Sequence, residues 1–309
     1  MIGPETKSKE SLAIRILSLA GGILGTCFFL GFMGVMFLDH PYAMIIMGVV
    51  TIGGSLTIER IAKSVILDTI AISSCLIGNI ILGMGLNSII KNDNLLTVGL
   101  MISAGLILNF SKSFVLNLFG VVSINVCLFT FISINNIHYI IPLFLGYLGT
   151  AFIYLSFNSH LNWRLGSLLS LLILLTYLGF DLKEDIGTRY ISSAVIVGLI
   201  IFILQKIIHH LQIEGSDNRV MIYLISSVIL VLSFFSPSIS GALFILLLSF
   251  HTSYRTGLIT GVIVLVYFVG QYYYNLEYSL LIKSGIMFGT GILLTMYWFF
   301  LKNKLKHYE

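Results

Sequence analysis

Charged side chains are scarce in this sequence. They make up 10% of its 309 residues, whereas a soluble domain usually carries ~25%. Proline is also rare, with 4 residues, and the 3 cysteines all lie inside apolar runs, so no disulfide framework or metal-ligand spacing is present. The net charge of +4 is spread over short loops and forms no basic face. This composition excludes a soluble enzyme, a disordered chain and a nucleic-acid-binding protein.

Apolar residues dominate what is there. They account for 57% of the chain, and its mean hydropathy is +1.01. A helical crossing of a bilayer needs ~20 apolar residues, and runs that are apolar on every face indicate helices rather than the alternating strands of a barrel. We predict an all-α, polytopic transmembrane helix bundle of about twelve spans: Ile16–Leu38, Tyr42–Ile58, Val65–Leu86, Leu95–Phe110, Ser113–Ser133, Tyr139–Phe157, Leu165–Phe180, Tyr190–Ile208, Val220–Phe235, Ile239–Phe250, Thr256–Tyr272 and Leu280–Phe300.

The loops between these runs are short. They carry turn-forming residues, as in Asp39–Pro41, Lys91–Asn94 and Ser236–Ser238. None is long enough to fold by itself. We therefore predict one integral membrane domain over residues 14–300, with a short cytoplasmic tail at 1–13 and a basic cytoplasmic tail at 301–309.

The placement of lysine and arginine indicates an orientation, because basic residues favour the cytoplasmic side of a membrane. With twelve crossings and a cytoplasmic N-terminus, thirteen of the 17 basic residues are cytoplasmic. If Ile239–Phe250 fails to cross, the split weakens to ten against seven. The charges thus favour twelve crossings and two cytoplasmic termini, and a re-entrant Ile239–Phe250 segment is the alternative.

Three polar residues within the predicted spans are candidates for function. An ionisable group at the centre of a span costs ~2.5–3.5 kcal/mol on insertion scales, so each one needs a reason. Asp68 is interpreted either as an interfacial carboxylate beside basic neighbours or as a proton- or cation-linked carboxylate. Asn79 and Asn117 are interpreted as interhelical hydrogen-bonding residues or as contacts to a substrate.

A second candidate region lies around the end of the eleventh span. Tyr267, Gln271 and Tyr274 are spaced so that a helix would place them on one face. They are typical of an aromatic belt at the headgroup level. The alternative makes Tyr274, Glu277 and Lys283 an outer polar site for a partner or an anionic headgroup.

Enzyme signatures are weak or missing. Ser238–Gly241 faintly resembles a nucleophile loop of rhomboid proteases, with His251 in the following turns. No phosphate-binding loop is present, and the histidines are scattered over different loops. We predict no catalytic residues, no metal site and no cofactor.

The segment Tyr272–Ser284 resembles the C-terminal signature of a known bacterial membrane family, domain of unknown function 4401. Ser279, Lys283 and Ser284 match that family's hydroxyl residue and Lys-Ser pair. Asn79 departs from the family's usual glutamine. Weaker likenesses lie at Gly21–Asp39, Gly78-Asn79 and Gly241–Phe250.

The resemblance implies a multispanning protein of the bacterial inner membrane without an assigned reaction. It also implies a partner, since members tend to be encoded beside a small membrane-anchored protein. We therefore expect a non-enzymatic envelope component that contacts membrane lipids and a membrane partner, and no nucleic acid. The alternative is a transporter or lipid-handling protein with a polar cavity near Asp68, Asn79 and Asn117, and an intramembrane enzyme ranks last.

Overall fold

The chain folds into long α-helices. The computed structural model describes residues 12–37, 39–61, 65–158, 161–180, 186–210, 226–227, 229–231, 233–234, 236–275, 281–282, 284–285, 288–289, 291–292 and 295, and no β-strand occurs among them. These ranges hold a 3₁₀ turn at His138–Ile140 and ten long helices: α1 Leu12–Met36, α2 Pro41–Ile61, α3 Val65–Ile89, α4 Asp93–Phe110, α5 Phe114–Ile134, α6 Ile141–Phe157, α7 Leu161–Phe180, α8 Ile186–His210, α9 Pro237–His251 and α10 Arg255–Asn275.

The predicted fold class is confirmed in its coarse form. Eight of the described helices are long and apolar enough to cross a bilayer, and two further apolar stretches, Ala20–Met36 and Pro237–His251, are shorter. The ten helices coincide with ten of the predicted runs. The predicted spans Val220–Phe235 and Leu280–Phe300 lie largely outside the described residues.

The first five helices form one half of the bundle, and α2 and α3 make its most extensive contact. These two helices approach closely because glycine replaces a side chain where they cross. A Cβ added at Gly48 would lie 2.9 Å from the Leu82 Cα, and one added at Gly85 would lie 3.0 Å from the Ile45 backbone nitrogen. Small residues permit such packing in lipid, where apolar burial alone gives helices little reason to associate.

The other five helices pack around α9. Phe244, Ile245 and Leu248 of α9 are among the buried residues of the largest apolar cluster, which draws on all of α6 to α10. Gly241 lets α9 approach α7, because any Cβ there would overlap the Leu175 side chain. A 15-residue helix extends ~22 Å, which is shorter than the ~30 Å hydrocarbon core.

The two halves meet through α5 and α7, which run parallel. Gly166 near the start of α7 packs against Val121 near the start of α5. One helical turn further along both helices, the Asn125 Nδ2 donates a hydrogen bond of 3.1 Å to the Ser170 Oγ. The first turns of α5 and α7 therefore share one end of the bundle.

Basic residues collect at that shared end, which we call the basic end and define by Arg60, Lys112, Arg164 and Lys206. Arg60 reaches the last residue of α4 there, and Lys206 lies against Phe157 at the end of α6. The opposite end carries fewer described basic residues, Lys91 and Arg189, together with a pair of amides. Asn94 and Asn135 there exchange two side-chain hydrogen bonds of 2.9 and 2.8 Å.

The short helix α9 extends from the opposite end toward the basic end. Near its start, the Ser238 hydroxyl donates a 2.8 Å hydrogen bond to the Leu175 carbonyl, in the second half of α7. At its other end, the His251 ring packs edge-on against Phe157, with 5.8 Å between ring centroids. The helix thus runs parallel to α6 for most of the length of its neighbours.

Candidate functional site

The predicted site residue Asn79 forms a contact between helices. The Ser103 hydroxyl of α4 donates a 2.9 Å hydrogen bond to the Asn79 Oδ1 on α3. The Asn79 Nδ2 is buried without a hydrogen-bond partner. This arrangement is the interhelical use of an amide that is common in membrane bundles.

The other two predicted intramembrane residues occupy different places. Asp68 lies half-buried in the first turn of α3, at the basic end, and Asn117 lies half-buried on α5 with a buried, unpartnered Oδ1. Asp68 and Asn79 are eleven residues apart on one helix, which separates them by ~16 Å along its axis. They therefore occupy different depths of the bundle.

The predicted aromatic site is described only in part. Tyr274 lies in the last turn of α10 and is 80% exposed, and its ring contacts that of Tyr273 at 5.7 Å between centroids. Glu277 and Lys283 lie outside the described residues. The roles of all six predicted positions stay predictions.

Sequence reasoning missed a charged clamp at the basic end. Glu59 and Arg60 are neighbours near the end of α2. Both form hydrogen bonds to the backbone around the tight turn between α4 and α5. The Glu59 Oε1 accepts hydrogen bonds from the backbone N–H groups of Lys112 and Ser113, while an Arg60 nitrogen donates to the Phe110 carbonyl at 3.1 Å. A carboxylate at a helix N-terminus and a cation at a helix C-terminus both oppose the helix dipole.

Sequence reasoning also did not predict a buried polar cluster at the opposite end of the bundle. Both amide atoms of Gln271 on α10 are buried without a partner, and a Cβ at Gly179 would lie 3.0 Å from both the Gln271 Oε1 and the Ser238 Oγ. The Asn275 Nδ2 donates to the Gly179 carbonyl at 3.4 Å. Three helices, α7, α9 and α10, thus bring polar groups together around Gly179. The spacing of Gln271 with Tyr267 and Tyr274 suggested a common face, but the Gln271 amide is directed at this cluster.

Two serines of α8 add to the polar character of this end. Ser192 and Ser193 are each 0% exposed, and their hydroxyl oxygens have no partner. A Cβ at Gly149 would meet both Leu199 and Phe244, which places these two residues at one level. Ser193 precedes Leu199 by six residues on α8, and Ser238 precedes Phe244 by six residues on α9. Because these two helices run parallel, both serines lie about 9 Å closer to the opposite end and at a common level.

Cations and aromatic rings pair at the basic end. The Lys206 Nζ lies 3.5 Å from the centroid of the Phe157 ring, and the Arg164 guanidinium lies 3.8 Å from that of Tyr254. Such contacts stabilise a cation most where water is excluded. Burial raises the pKa of the Tyr254 phenol in the loop between α9 and α10, and the Arg164 charge opposes that rise.

A groove of about 600 Å³ lies between α6 and α8 near this end. Ile153, Leu199 and Phe202 form apolar walls, and Asn158 and Lys206 line the part nearest the basic end. Its volume is that of a small-molecule site, for which ~300–1,000 Å³ is usual. No signal in the sequence marks this groove, because α6 and α8 are separated by a whole helix.

A comparison with known protein families shows which family this chain belongs to. The model of the family described as Domain of unknown function (DUF4401) matches residues 11–304. The chain belongs to this family. The resemblance seen in Tyr272–Ser284 is thereby confirmed. No curated protein and no solved structure matches the chain.

Membership in the domain of unknown function 4401 supplies no reaction, so the chemistry must come from the geometry. Ser238 and His251 stand thirteen residues apart on α9, or ~20 Å, and the Ser238 hydroxyl is engaged with the Leu175 carbonyl. A nucleophile and its base must be within hydrogen-bond reach, so this pair does not form a catalytic couple. Within the described ranges, no three His, Cys, Asp or Glu side chains are grouped as a metal site.

Proposed function

We propose that this member of the domain of unknown function 4401 is a non-enzymatic component of the bacterial inner membrane that acts with a membrane partner. The observation that carries the proposal is the use made of the polar side chains Glu59, Asn79 and Asn125, each of which bonds to another helix or its end. Groups engaged in this way hold a bundle together. They do not present a nucleophile, an acid or a base to a substrate.

Twelve crossings with both tails in the cytoplasm is the topology we propose. The contacts that gather Arg60, Lys112, Arg164 and Lys206 at one end support it, because the positive-inside rule assigns such an end to the cytoplasm. The direction of α9, from the opposite end to the basic end, supports a crossing by Ile239–Phe250.

Reporter fusions test this topology. A phosphatase that is active only outside the cytoplasm is fused after Lys91, after Ser253 and after the last residue. We expect activity from the first fusion alone. Activity after Ser253 would place the loop between α9 and α10 outside, which would overturn the crossing by Ile239–Phe250. Activity after the last residue would place the C-terminal tail outside and would overturn the proposal that both tails are cytoplasmic.

The partner site we propose is the segment from Tyr274 to Lys283. Tyr274 supports it, because a large aromatic side chain that is 80% exposed at the end of a helix is typical of a contact residue. Tyr139 is a matched reference, since it is 74% exposed and lies in the 3₁₀ turn between α5 and α6 at the same end.

Site-specific photocrosslinking tests the partner. A benzophenone amino acid replaces Tyr274 or Tyr139 in the full chain, and native membranes are irradiated. We expect position 274 to capture one defined small membrane-anchored protein and position 139 not to capture it. Equal capture from both positions, or lipid adducts alone at position 274, would contradict a partner site there.

A transporter or lipid-handling protein is the second candidate. The cluster around Gly179 favours it, because Gln271, Ser192 and Ser193 retain buried polar atoms without partners. Unpaired polar groups within a bilayer are costly, and they commonly line substrate or ion pathways. This cluster lies at the opposite end from Asp68, so it is a different place from the predicted cavity.

A further inference from the structure

The groove between α6 and α8 lies on the basic-end side of the place where these two helices approach closely. They run parallel and are closest where α6 has glycine: a Cβ at Gly146 would lie 3.3 Å from the Val195 Cγ1, and one at Gly149 would overlap Leu199. The residues of α6 and its end that line the groove run from Thr150 to Asn158. They extend from this close approach toward the basic end, over about 12 Å.

The walls of the groove suit a hydrocarbon chain. Ile153, Leu199 and Phe202 are apolar, and the Thr150 hydroxyl is occupied by the Gly146 and Tyr147 carbonyls of its own helix. The rim is open, since Tyr154 is 66% and Phe202 54% exposed. A groove with these walls is mainly apolar, and Thr150 and Tyr154 supply its hydroxyl groups away from the basic end.

The end of the groove has the opposite character. The Lys206 ammonium is held 3.5 Å from the centroid of Phe157, and Asn158 is exposed beside it. An ammonium on one face of a ring keeps its other donor directions for an anion. Among the described residues that line the groove there is this one cation and no acidic side chain, so the groove attracts negative charge at the end where Lys206 lies.

We propose that this groove binds one glycerophospholipid with an anionic headgroup. One acyl chain lies along Ile153, Leu199 and Phe202, and the phosphate lies at Lys206 and Asn158. Basic pockets between transmembrane helices are a recognised means of holding such headgroups. The proposal rests on the chain spanning a membrane and is independent of the partner proposed at Tyr274.

Lipid titration of the purified full-length protein tests the proposal. Phosphatidylglycerol is added to the protein in detergent, and bound lipids are counted by native mass spectrometry, with phosphatidylethanolamine as the headgroup control. We expect wild type to hold one phosphatidylglycerol more tightly than phosphatidylethanolamine. Lys206→Gln should lose about five-fold in affinity for phosphatidylglycerol, and Lys206→Arg should retain it.

Matched variants separate the groove from general surface charge and from damage to the fold. Lys112→Gln removes an exposed lysine from the same end of the other half and should bind as wild type does. Thr150→Trp fills the groove without changing its charge and should also weaken binding. Thr57→Trp should not, since Thr57 is likewise an exposed helical threonine bonded to its own backbone. Thermal unfolding of each variant verifies its fold. If Thr150→Trp unfolds, the comparison of Lys206→Gln with Lys206→Arg still tests the proposal.

The proposal is overturned if Lys206→Gln and Lys112→Gln bind phosphatidylglycerol equally. It is also overturned if phosphatidylethanolamine binds as tightly as phosphatidylglycerol. Displacement of the lipid by millimolar inorganic phosphate would identify the site as one for free phosphate. If the lipid count is unchanged in Thr150→Trp while Thr57→Trp behaves as wild type, the acyl chain does not lie in this groove.

Discussion

The two halves of the bundle use polar residues in different ways. In the first half, α1 to α5, polar side chains bond across helices. In the second half, α6 to α10, several polar side chains are buried deep within the apolar core and have no partner. Ser238 and Asn275 of the second half also bond to another helix, but the unpaired polar groups are concentrated in that half.

Cross-helix bonds in the first half occur at both ends and in the middle. Glu59 and Arg60 hold the turn between α4 and α5, Ser103 bonds to Asn79 at mid-bundle, and Asn94 pairs with Asn135 at the opposite end. Glu59 and Asn79 each retain one unpaired atom but have one bonded atom, and Asn117 is the exception in this half, with a buried Oδ1 that has no partner. The cross-helix bonds fix which helices are neighbours.

The second half combines the largest apolar cluster with unpaired polar groups. Ser192, Ser193 and Ser249 are each 0% exposed with unbonded hydroxyls, and both amide atoms of Gln271 are unbonded. A buried polar atom without a partner costs stability and asks for an explanation. A ligand or a moving part is therefore expected in the second half, and most of the bonds that fix helix neighbours are in the first.

The largest effect is expected from Gly48→Ala in the first half. The new Cβ would lie 2.9 Å from the backbone of Leu82, which cannot turn aside as a side chain can. We expect a loss of ~1–3 kcal/mol in the free energy of unfolding, as for other overpacked sites. Unfolding of the purified protein by a denaturing detergent measures it.

Two controls sharpen this prediction. Gly53→Ala lies on the same helix with nothing within 4 Å of its new Cβ, so it should leave the free energy of unfolding nearly unchanged. Gly241→Ala in the second half meets the Leu175 side chain and no backbone atom, so a shift of that one buried side chain can relieve the overlap and the loss should be smaller than that of Gly48→Ala. Equal losses at positions 48 and 53 would contradict the proposed close approach of α2 and α3.

A smaller effect is expected from the Glu59 clamp. Glu59→Ala removes the acceptor for the Lys112 and Ser113 amides, which should cost ~1 kcal/mol, as for a lost N-cap. Glu59→Gln keeps an acceptor oxygen but loses the charge that favours a helix N-terminus, so its loss should be intermediate. Hydrogen–deuterium exchange at these two amides measures the change directly. Unaltered exchange in Glu59→Ala would show that the clamp contributes nothing.

The sequence was sufficient to predict the helices but not their partners. Long apolar runs are local signals, so the ends of helices such as α5 and α8 agree with the predicted spans within a few residues. The bond from Glu59 to Ser113 joins residues 54 positions apart, and no local pattern announces it. The groove depends on the distance between α6 and α8, which the contacts of Gly146 and Gly149 with α8 set, and these contacts join residues about 50 positions apart. The sequence identified Gln271 as a polar residue of the aromatic stripe, but it did not predict that the Gln271 amide lies beside Gly179 and Ser238.

The smallest effect on stability is expected at Gln271. Gln271→Met replaces an amide with two unpartnered atoms by an apolar chain of similar shape, which should leave the free energy of unfolding unchanged or raise it. Asn125→Leu is the matched change in a bonded amide, and it should lose ~0.6 kcal/mol with the bond to Ser170. Parallel detergent unfolding of both variants gives the two numbers. A greater loss at Gln271 than at Asn125 would mean that the amide holds helices together, and the contrast between the halves would fail. An unchanged or more stable Gln271→Met protein means that folding does not require this amide, which leaves binding or movement as the reason for a buried glutamine at this place.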